Sequence, residues 1–387
     1  MRVDDTFDRD TRWLPAALPS HEERFSAPAT ATLNHSALLL LGSNHRTTPI
    51  VLRERLAISP HDWPAVFSSL RAMTSLREIA ILSTCNRVEC YAVTSDPVTS
   101  TTQLVEFLSN RSGIAPAALA PHLYRLEETD VAAHLFRVAG GLDSMILGET
   151  EITAQVKQAY GVAQTFGALG PVLHRLFQKS LHSAKLVRSR TSIAEGCASI
   201  GSVVAGLAGA LFGQCLSDCE VLLWGAGKAA ETTLRHLMKS GIGQLWVVNR
   251  TQVKAQELAQ QCQSGWLSWE QAQKRLTRVD LAIVCTQAPH YVIDSDDLEM
   301  LWPQRNSRPL CIIDLAVPRN VDPSVARYPG LHLYDIDGLQ KISSLAIRQR
   351  ETSREACEAL VAEQASYFQR WRWAQAQHED RACKHVG

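Results

Sequence analysis

A glycine-rich turn between an apolar run and a helical segment constrains the fold of this 387-residue chain more than any other feature. The apolar run, residues 221–224, is typical of a buried strand, and the turn that follows is made of Gly225, Ala226, Gly227, Lys228, Ala229 and Ala230. Gly225 permits the tight turn, Gly227 lets a pyrophosphate approach the backbone, and Ala230 allows the helix to pack closely on the sheet. Backbone amides at the start of that helix receive phosphates. The pattern therefore predicts a dinucleotide-binding site at residues 225–230.

The end of the next strand indicates which dinucleotide is bound. Residues 245–248 form a second apolar run, followed by Asn249, Arg250 and Thr251. An acidic residue at this position binds the ribose 2′-hydroxyl of NAD, whereas an arginine and a hydroxyl suit the 2′-phosphate of NADP. The alternative for Arg250 is a surface arginine without a ligand. We expect NADPH as the cofactor, with Asn249, Arg250 and Thr251 in its site.

The order of strands and helices predicts an α/β protein of several domains. Apolar runs at 281–284, 310–314 and 331–334 continue a doubly wound parallel sheet, a Rossmann-type domain. The first part of the chain alternates strands at 37–42, 79–82 and 90–94 with helices, and residues 131–192 are helical. We predict a disordered tail at 1–36, a catalytic domain at 37–195, an NADP-binding domain at 196–338, and a long helix at 339–387. An apolar stripe is predicted on that helix, at Ile342, Leu345, Ala356, Leu360, Tyr367 and Trp371.

Composition excludes several classes of protein. Thirty-nine basic residues balance 39 acidic residues, so no net charge favours nucleic acid or membrane. The ten cysteines are irregularly spaced and no secretory signal precedes them, which predicts reduced thiols and a cytoplasmic protein. No apolar run approaches the ~20 residues of a membrane-spanning helix. A predicted helix at 173–190 carries five basic residues, which form either a solvated face or a patch for a phosphate backbone: Arg175, Lys179, Lys185, Arg188 and Arg190.

A short polar stretch after the strand at 79–82 is the candidate for chemistry. It reads Ser83-Thr84-Cys85-Asn86-Arg87, and loops at strand ends are where rigid scaffolds present reactive groups. The positive charge of Arg87 is expected to favour the thiolate of Cys85. The alternative is a buried, inert cysteine at a strand end.

Combining a cysteine with NADPH predicts acyl-thioester chemistry. A thiolate attacks an activated acyl group, and a hydride then reduces the thioester to an aldehyde. An NADP-dependent dehydrogenase of small hydroxy or keto acids is the alternative, but it leaves Cys85 without a role. A metal site is disfavoured, because neither Cys85 with Cys90 nor Cys215 with Cys219 forms a CxxC pair, and structural zinc requires four ligands.

Several further motifs resemble one known family. The chain over residues 37–372 resembles glutamyl-tRNA reductase in five segments: 42–49 (GSNHRTTP), 83–89 (STCNRVE), 141–149 (GLDSMILGE) with 155–157 (QVK), 249–251 (NRT) and 314–320 (DLAVPRN). The resemblance implies that glutamate-charged tRNA(Glu) is the substrate and that NADPH reduces a Cys85 thioester to glutamate-1-semialdehyde. That reaction is the first committed step toward 5-aminolevulinate and the tetrapyrroles.

The resemblance also assigns site residues. Cys85 is the implied nucleophile, and His134 matches a histidine important for activity, although a helix-face histidine packed in the core is the alternative from the sequence alone. The implied substrate-binding residues are Thr84, Asn86, Arg87, Ser144, Glu149, Thr150, Glu151 and Gln155. Arg87 suits a clamp on a substrate carboxylate, because guanidinium binds carboxylate through two parallel bonds.

The sequence departs from the family pattern in three places. Thr150 and Glu151 stand where many members carry proline and glutamine, and Gln287 replaces a small residue beside the expected nicotinamide pocket. The resemblance implies a homodimer, but the chain ends at Gly387, so we expect either no dimer or a dimer that rests on the long helix alone. The aminomutase that consumes the aldehyde is a further candidate partner. A non-catalytic tRNA-binding or regulatory paralogue is the alternative that fits a shortened C-terminus.

Overall fold

Two sheets organise the part of the chain that the computed structural model describes, residues 36–191, 193, 199–339 and 351–384. The predicted disordered tail lies outside these residues, apart from Ser36. A first, antiparallel sheet belongs to the N-terminal half and a second, parallel sheet to the following segment. The predicted α/β architecture with two different sheets is confirmed.

The antiparallel sheet has the strand order β2-β3-β1-β4. Its strands are β1 (Ala37–Asn44), β2 (Leu76–Ser83), β3 (Arg87–Thr94) and β4 (Tyr124–Glu127). Uninterrupted apolar runs in β1 and β2 are buried, which fits strands covered by helices on both faces. The strand β4 was not predicted, because it has only four residues and no alternation, its burial falling from buried Tyr124 to exposed Glu127.

Helices surround this sheet and carry much of the site. They are α1 (Ile50–Leu56), α2 (Trp63–Arg71), α3 (Pro97–Ser112), α4 (Pro116–Leu119), α5 (Glu128–Ala139), α6 (Glu151–Thr165) and α7 (Pro171–Arg190). The helical character predicted for residues 131–192, including the helix at 173–190, is confirmed by α5, α6 and α7. Proline at the first position of α3 and α7 explains their sharp starts, since a proline lacks only an amide that would be unpaired there.

The parallel sheet has six strands in the order β10-β9-β8-β5-β6-β7. Its elements are α8 (Ile200–Phe212), β5 (Glu220–Trp224), α9 (Lys228–Lys239), β6 (Gln244–Val248), α10 (Gln252–Gln261), β7 (Gly265–Trp266), α11 (Trp269–Arg275), β8 (Leu281–Val284), α12 (Ser295–Leu301), β9 (Leu310–Asp314) and β10 (Leu331–Asp335). This order is that of a dinucleotide-binding sheet, which confirms the predicted Rossmann-type architecture. Neither α8 nor the two-residue strand β7 was predicted from the sequence.

A long C-terminal helix, α13 (Glu351–Lys384), packs along α5 and α7. Its buried face consists of Cys357, Val361, Gln364, Ala365, Phe368 and Arg372. The predicted stripe was therefore wrong at Ala356 and Tyr367, which are exposed, while Leu360 and Trp371 are half-buried against the core. The spacing predicted a helix correctly, but the apolar face was misplaced because Gln364 and Arg372 also belong to it. Ile342 and Leu345 lie outside the described residues.

A candidate active site between the two sheets

A cavity lies between the loop that joins β2 to β3 and the first turn of α9. It is lined by the predicted nucleophile Cys85, by Ala229 of the glycine-rich turn, and by every predicted substrate-binding residue except Thr150. Thr150 is exposed at the start of α6. Its lining is Thr84, Cys85, Asn86, Arg87, Ser144, Met145, Ile146, Glu149, Glu151, Ile152, Gln155, Ile200, Val203, Ala229, Leu315, Ile336 and Leu339. The cavity is therefore lined both by segments that pack on the antiparallel sheet and by segments that pack on the parallel sheet.

The loop at Cys85 is held by Thr84. The Thr84 backbone amide donates to the Arg87 carbonyl at 2.8 Å, and its hydroxyl accepts from the amides of Asn86 and Arg87 at 3.1 and 3.2 Å. Arg53 on α1 reaches the same loop, since its Nε lies 3.4 Å from the Cys85 carbonyl oxygen. These bonds fix the backbone on both sides of a half-buried Cys85.

The thiol of Cys85 is not held as a thiolate. Burial raises its pKa to about 12, the charges of Glu149 and Glu151 add to the rise, and Arg53 opposes it. The expectation that Arg87 stabilises the thiolate was wrong, because the Arg87 side chain is bound elsewhere. Any nucleophilic reaction at Cys85 must therefore include removal of its proton.

Arg87 is the centre of a buried ion-pair network. Its Nη1 donates to Glu89 Oε1 at 2.7 Å and to Asp143 Oδ2 at 3.0 Å, and its Nη2 donates to the Asp143 carbonyl. The residue is 2% exposed, although it also contributes to the cavity wall. Its Nε has no partner among the described residues. With both Nη atoms engaged, the carboxylate clamp expected of Arg87 stays a prediction.

Glu89 joins Arg87 to the predicted catalytic histidine. The carboxylate is fully buried, accepts hydrogen bonds from Tyr91 and Tyr124, and lies 2.8 Å from His134 Nε2. Burial alone would raise the pKa of Glu89, but the charges of Arg87 and His134 outweigh it and hold this pKa below its ordinary value. His134 is absent from the cavity wall, so its place is behind the loop, in contact with Glu89.

Sequence reasoning missed Glu89, Asp143 and Arg53. Glu89 lies two residues from Arg87 on β3, whereas the position of Asp143 opposite Arg87 depends on the turn before α6. An alternation of charge within one motif, as in Arg87 and Glu89 two residues apart, was the available signal, because such residues share one face of a strand. No local signal indicates the role of Arg53, whose partners are distant in sequence.

Two further carboxyl groups in the cavity have raised pKa values. Shielding from water raises the pKa of Glu149 to about 7, and it also raises the pKa of Glu151. The charge of Lys228 opposes the rise at Glu151. Lys228 belongs to the glycine-rich turn, so the two sides of the cavity interact electrostatically.

The glycine-rich turn fits the phosphates of a dinucleotide. Gly225 has φ +120°, and a Cβ there would lie 2.4 Å from the Cys285 carbonyl oxygen. Gly227 precedes α9 without a side-chain cap, and a Cβ there would meet nothing within 4 Å. Ala230 is fully buried between helix and sheet. The amides at the start of α9 therefore face space that a phosphate can fill.

The predicted cofactor residues after β6 lie beside this turn. The Gly225 amide donates to the Val248 carbonyl at 2.8 Å, so the turn and the end of β6 are neighbours. Asn249 Nδ2 donates to the Thr251 carbonyl at 3.1 Å, and the Arg250 side chain is exposed. Their positions agree with a site for the ribose of a dinucleotide, and their individual roles stay predictions.

Two features are absent from the described ranges: a helix that could cross a membrane and a cluster of side chains that could hold a metal ion. None of their helices combines the length and the apolar composition needed to cross a membrane. Within the same ranges, no group of three or more histidine, cysteine or acidic side chains is placed to hold a metal ion.

Comparison with known proteins relates both halves of the chain to characterised families. Residues 41–191 match the family described as "Glutamyl-tRNAGlu reductase, N-terminal domain", and residues 206–342 match "Shikimate / quinate 5-dehydrogenase". The second match supports an NAD(P)-binding dehydrogenase domain at the parallel sheet.

Relatives that align with most of the chain are also glutamyl-tRNA reductases. The glutamyl-tRNA reductase of Syntrophotalea carbinolica is 38% identical over 333 residues, covering 86% of this chain and 75% of the relative. That of Roseiflexus castenholzii is 39% identical over 338 residues, covering 87% and 79%. The solved glutamyl-tRNA reductase of Methanopyrus kandleri is 30% identical, with 86% and 79% coverage and a TM-score of 0.48. The identities to the two reductases of Syntrophotalea carbinolica and Roseiflexus castenholzii confirm the resemblance found in the sequence motifs: the chain belongs to the glutamyl-tRNA reductase family.

Proposed function

We propose that this chain reduces the glutamyl ester of charged tRNA(Glu) to glutamate-1-semialdehyde with NADPH, through a thioester on Cys85. One observation carries the proposal: Cys85 and Ala229 of the glycine-rich turn line the same cavity. A dehydrogenase acting on a free small molecule needs the turn but has no use for a cysteine loop at that place.

The first half of the reaction is an acyl transfer to sulfur. Cys85 loses its proton, Sγ bonds to the ester carbonyl carbon, and the bond from that carbon to the ribose oxygen breaks. The tRNA leaves with a proton on that oxygen. Glu149 is the group we assign to accept the thiol proton, because it lines the cavity and has a pKa of about 7, near the pH at which a general base works best.

The second half returns Cys85 to its starting state. NADPH, when bound, supplies the hydride that turns the thioester carbonyl into an aldehyde as the carbon–sulfur bond breaks. The chain contributes the amides at the start of α9 for the pyrophosphate, and Arg250 with Thr251 for the 2′-phosphate. Cys85 leaves the reaction as a thiolate and regains its proton.

The buried network behind the loop supports this chemistry by holding the reactive segment still. Glu89 binds both Arg87 and His134, so the orientation of the Asn86–Arg87 backbone is fixed before the substrate arrives. We assign His134 to this network, in which it supports the reaction by holding Glu89 and without direct contact with the reacting carbon.

The test compares the wild-type chain with Cys85→Ser on three substrates. Glutamyl-tRNA(Glu) and NADPH should give NADPH oxidation and an aldehyde in equal amounts with the wild type, and a rate at least about a thousandfold lower with the serine variant. Equal rates for both proteins would rule out the thioester. Oxidation of shikimate or a simple hydroxy acid would favour the dehydrogenase, and tRNA binding without aldehyde would favour a regulatory paralogue.

Assembly is a separate part of the proposal. We propose a homodimer as in the family, with α13 as the contact, and the aldehyde-consuming aminomutase as a partner. Sedimentation of the purified chain, alone and with that enzyme, gives the two stoichiometries directly.

A further inference from the structure

Two adjacent residues of α1 form ion pairs with the nucleotide-binding domain, Arg53 with Asp337 after β10 and Glu54 with Arg319 between β9 and β10. Arg53 Nη2 lies 2.7 Å from Asp337 Oδ1, and Arg53 Nη1 lies 3.3 Å from Asp337 Oδ2. The Arg53 side chain is 2% exposed and that of Asp337 is 30% exposed. Arg53 thus offers two parallel bonds to one carboxylate, the strongest geometry available to this pair.

The next residue, Glu54, makes a second ion pair, in which α1 contributes the negative charge instead of the positive one. Arg319 Nε lies 2.9 Å from Glu54 Oε2, Arg319 Nη2 lies 2.8 Å from Glu54 Oε1, and the Arg319 amide also donates to Oε2 at 3.3 Å. One domain therefore presents a positive and a negative charge side by side, and the other presents their complements. Such an alternating pattern is satisfied in one orientation and penalises others, because a shifted orientation brings like charges together.

The Arg53–Asp337 pair adjoins the cavity. Arg53 Nε also reaches the Cys85 carbonyl oxygen at 3.4 Å. On the opposite side, Asp337 follows Ile336, a residue of the cavity wall. Ile336 packs with Ile50 and Met145, and Cys85 and Val317 lie against this small cluster. The ion pairs therefore hold together the two surfaces that enclose the reactive thiol.

We propose that Arg53, Glu54, Arg319 and Asp337 form a latch that positions the nucleotide-binding domain over Cys85 for the reduction step. The assignment of the step rests on the proposed function. Acylation needs only the Cys85 loop and the part of the cavity wall contributed by residues 84–155, whereas reduction needs the two domains in register. Because Asp337, Glu54 and Arg319 are partly exposed, water can replace their partners, and the latch can open to admit an acyl-tRNA.

Charge reversal tests the latch at its more exposed pair. The variants are Glu54→Arg, Arg319→Glu and the double reversal, which restores an ion pair with its charges exchanged. Arg308→Glu is the matched control, since Arg308 makes a two-bond pair with Asp280 inside the nucleotide-binding domain. Three readouts apply: small-angle X-ray scattering of the chain without ligands, Cys85 acylation by glutamyl-tRNA without NADPH, and aldehyde formation with NADPH.

The latch predicts a specific pattern across these readouts. Each single reversal should increase the radius of gyration and lower aldehyde formation at least about tenfold, while acylation stays within about twofold. The double reversal should return the radius of gyration and the rate of aldehyde formation most of the way to their wild-type values. Arg308→Glu should leave all three readouts near wild type. A purely structural role would lower acylation and reduction together.

Two results would overturn the latch: single reversals with unchanged scattering and aldehyde formation, or a double reversal no better than the singles. Failure of the proposed function is distinguishable from these. If the wild type does not acylate Cys85 at all, the proposed function is wrong. The X-ray scattering of the wild type, the single reversals and the double reversal then decides by itself whether the latch exists.

Discussion

The two sides of the cavity differ in how their charges are satisfied. On the nucleophile side, Arg87 and Glu89 are buried and bind each other, with further partners in Asp143 and His134. On the nucleotide side, Arg250 is exposed and the start of α9 at Gly227 has no side-chain cap. The first side is organised by the chain itself, and the second is built to be completed by an anionic ligand. Substitutions should therefore affect stability on the first side and ligand affinity on the second.

The largest effect is expected at Glu89. The change Glu89→Gln removes the charge that faces Arg87, and breaking a buried ion pair costs about 3–5 kcal/mol. Urea unfolding at neutral pH measures this loss. Glu127→Gln is the control, because its pair with Arg125 is at the surface and is worth about 0–1 kcal/mol. Equal losses for the two variants would contradict a special role for the buried network.

Two glycines of the same turn separate stability from affinity. Gly225→Ala should destabilise the fold by about 2–3 kcal/mol, because φ is +120° and the new Cβ would lie 2.4 Å from the Cys285 oxygen. Gly227→Ala should change stability by about 1 kcal/mol or less, since its Cβ meets open space, yet it should weaken NADPH binding at least about tenfold. Thermal unfolding and NADPH titration measure the two effects. NADPH binding unchanged in Gly227→Ala would contradict the phosphate site.

Glu149 gives the nucleophile side a defined pH dependence. Its pKa is about 7 in the folded chain against an ordinary value of 4.5, so the folded state holds its proton more tightly than the unfolded state. Stability from this group is present below 4.5 and is lost as pH rises through 7. Relative to Glu149→Gln, the wild type should lose on the order of 2–3 kcal/mol across this range.

Unfolding measured at several pH values, with exposed Glu257→Gln as the control, tests this difference. A constant difference in the free energy of unfolding between the wild type and Glu149→Gln would show that the Glu149 carboxyl is not shielded from water. The same series measures acylation, which should rise with pH because the pKa of Cys85 lies at about 12.

The smallest effect is expected at Arg250. Loss of one charge-assisted bond to a 2′-phosphate costs about 1.5–2 kcal/mol, so Arg250→Ala should raise the KM for NADPH roughly tenfold to thirtyfold and leave that for NADH unchanged. Stability should not change, because the side chain is exposed. Lys254→Ala, one turn into α10, serves as the control. An equal loss for NADPH and NADH would remove Arg250 from the 2′-phosphate site.

Local patterns predicted most of the fold, and the resemblance to the reductase family supplied the polar residues of the cavity wall. The turn at 225–230 and the apolar runs that follow define a parallel sheet, because spacing and strand burial are local properties of sequence. The long helix shows the limit: its period was readable, but its buried face was displaced because Gln364 and Arg372 are buried by contacts with distant elements.

The electrostatics of the site could not be read from the sequence. Arg87 lies two residues from Cys85, which suggested a stabilised thiolate, yet the guanidinium turns to Glu89 and Asp143 instead. Strand residues two apart share a face, whereas the loop directs Cys85 elsewhere. Arg53 and Asp337 are 284 residues apart, so their pairing depends on how the domains meet.

The central claim is that Cys85 carries the acyl group between tRNA and aldehyde. The direct measurement is to mix the chain with glutamyl-tRNA(Glu) bearing labelled glutamate, without NADPH, and to locate the label by peptide mass spectrometry. The account predicts label on the peptide with Cys85, released as aldehyde when NADPH is added, absent from Cys85→Ala and retained in Cys215→Ser. Label on another residue, or aldehyde formed by Cys85→Ala at the wild-type rate, would contradict it.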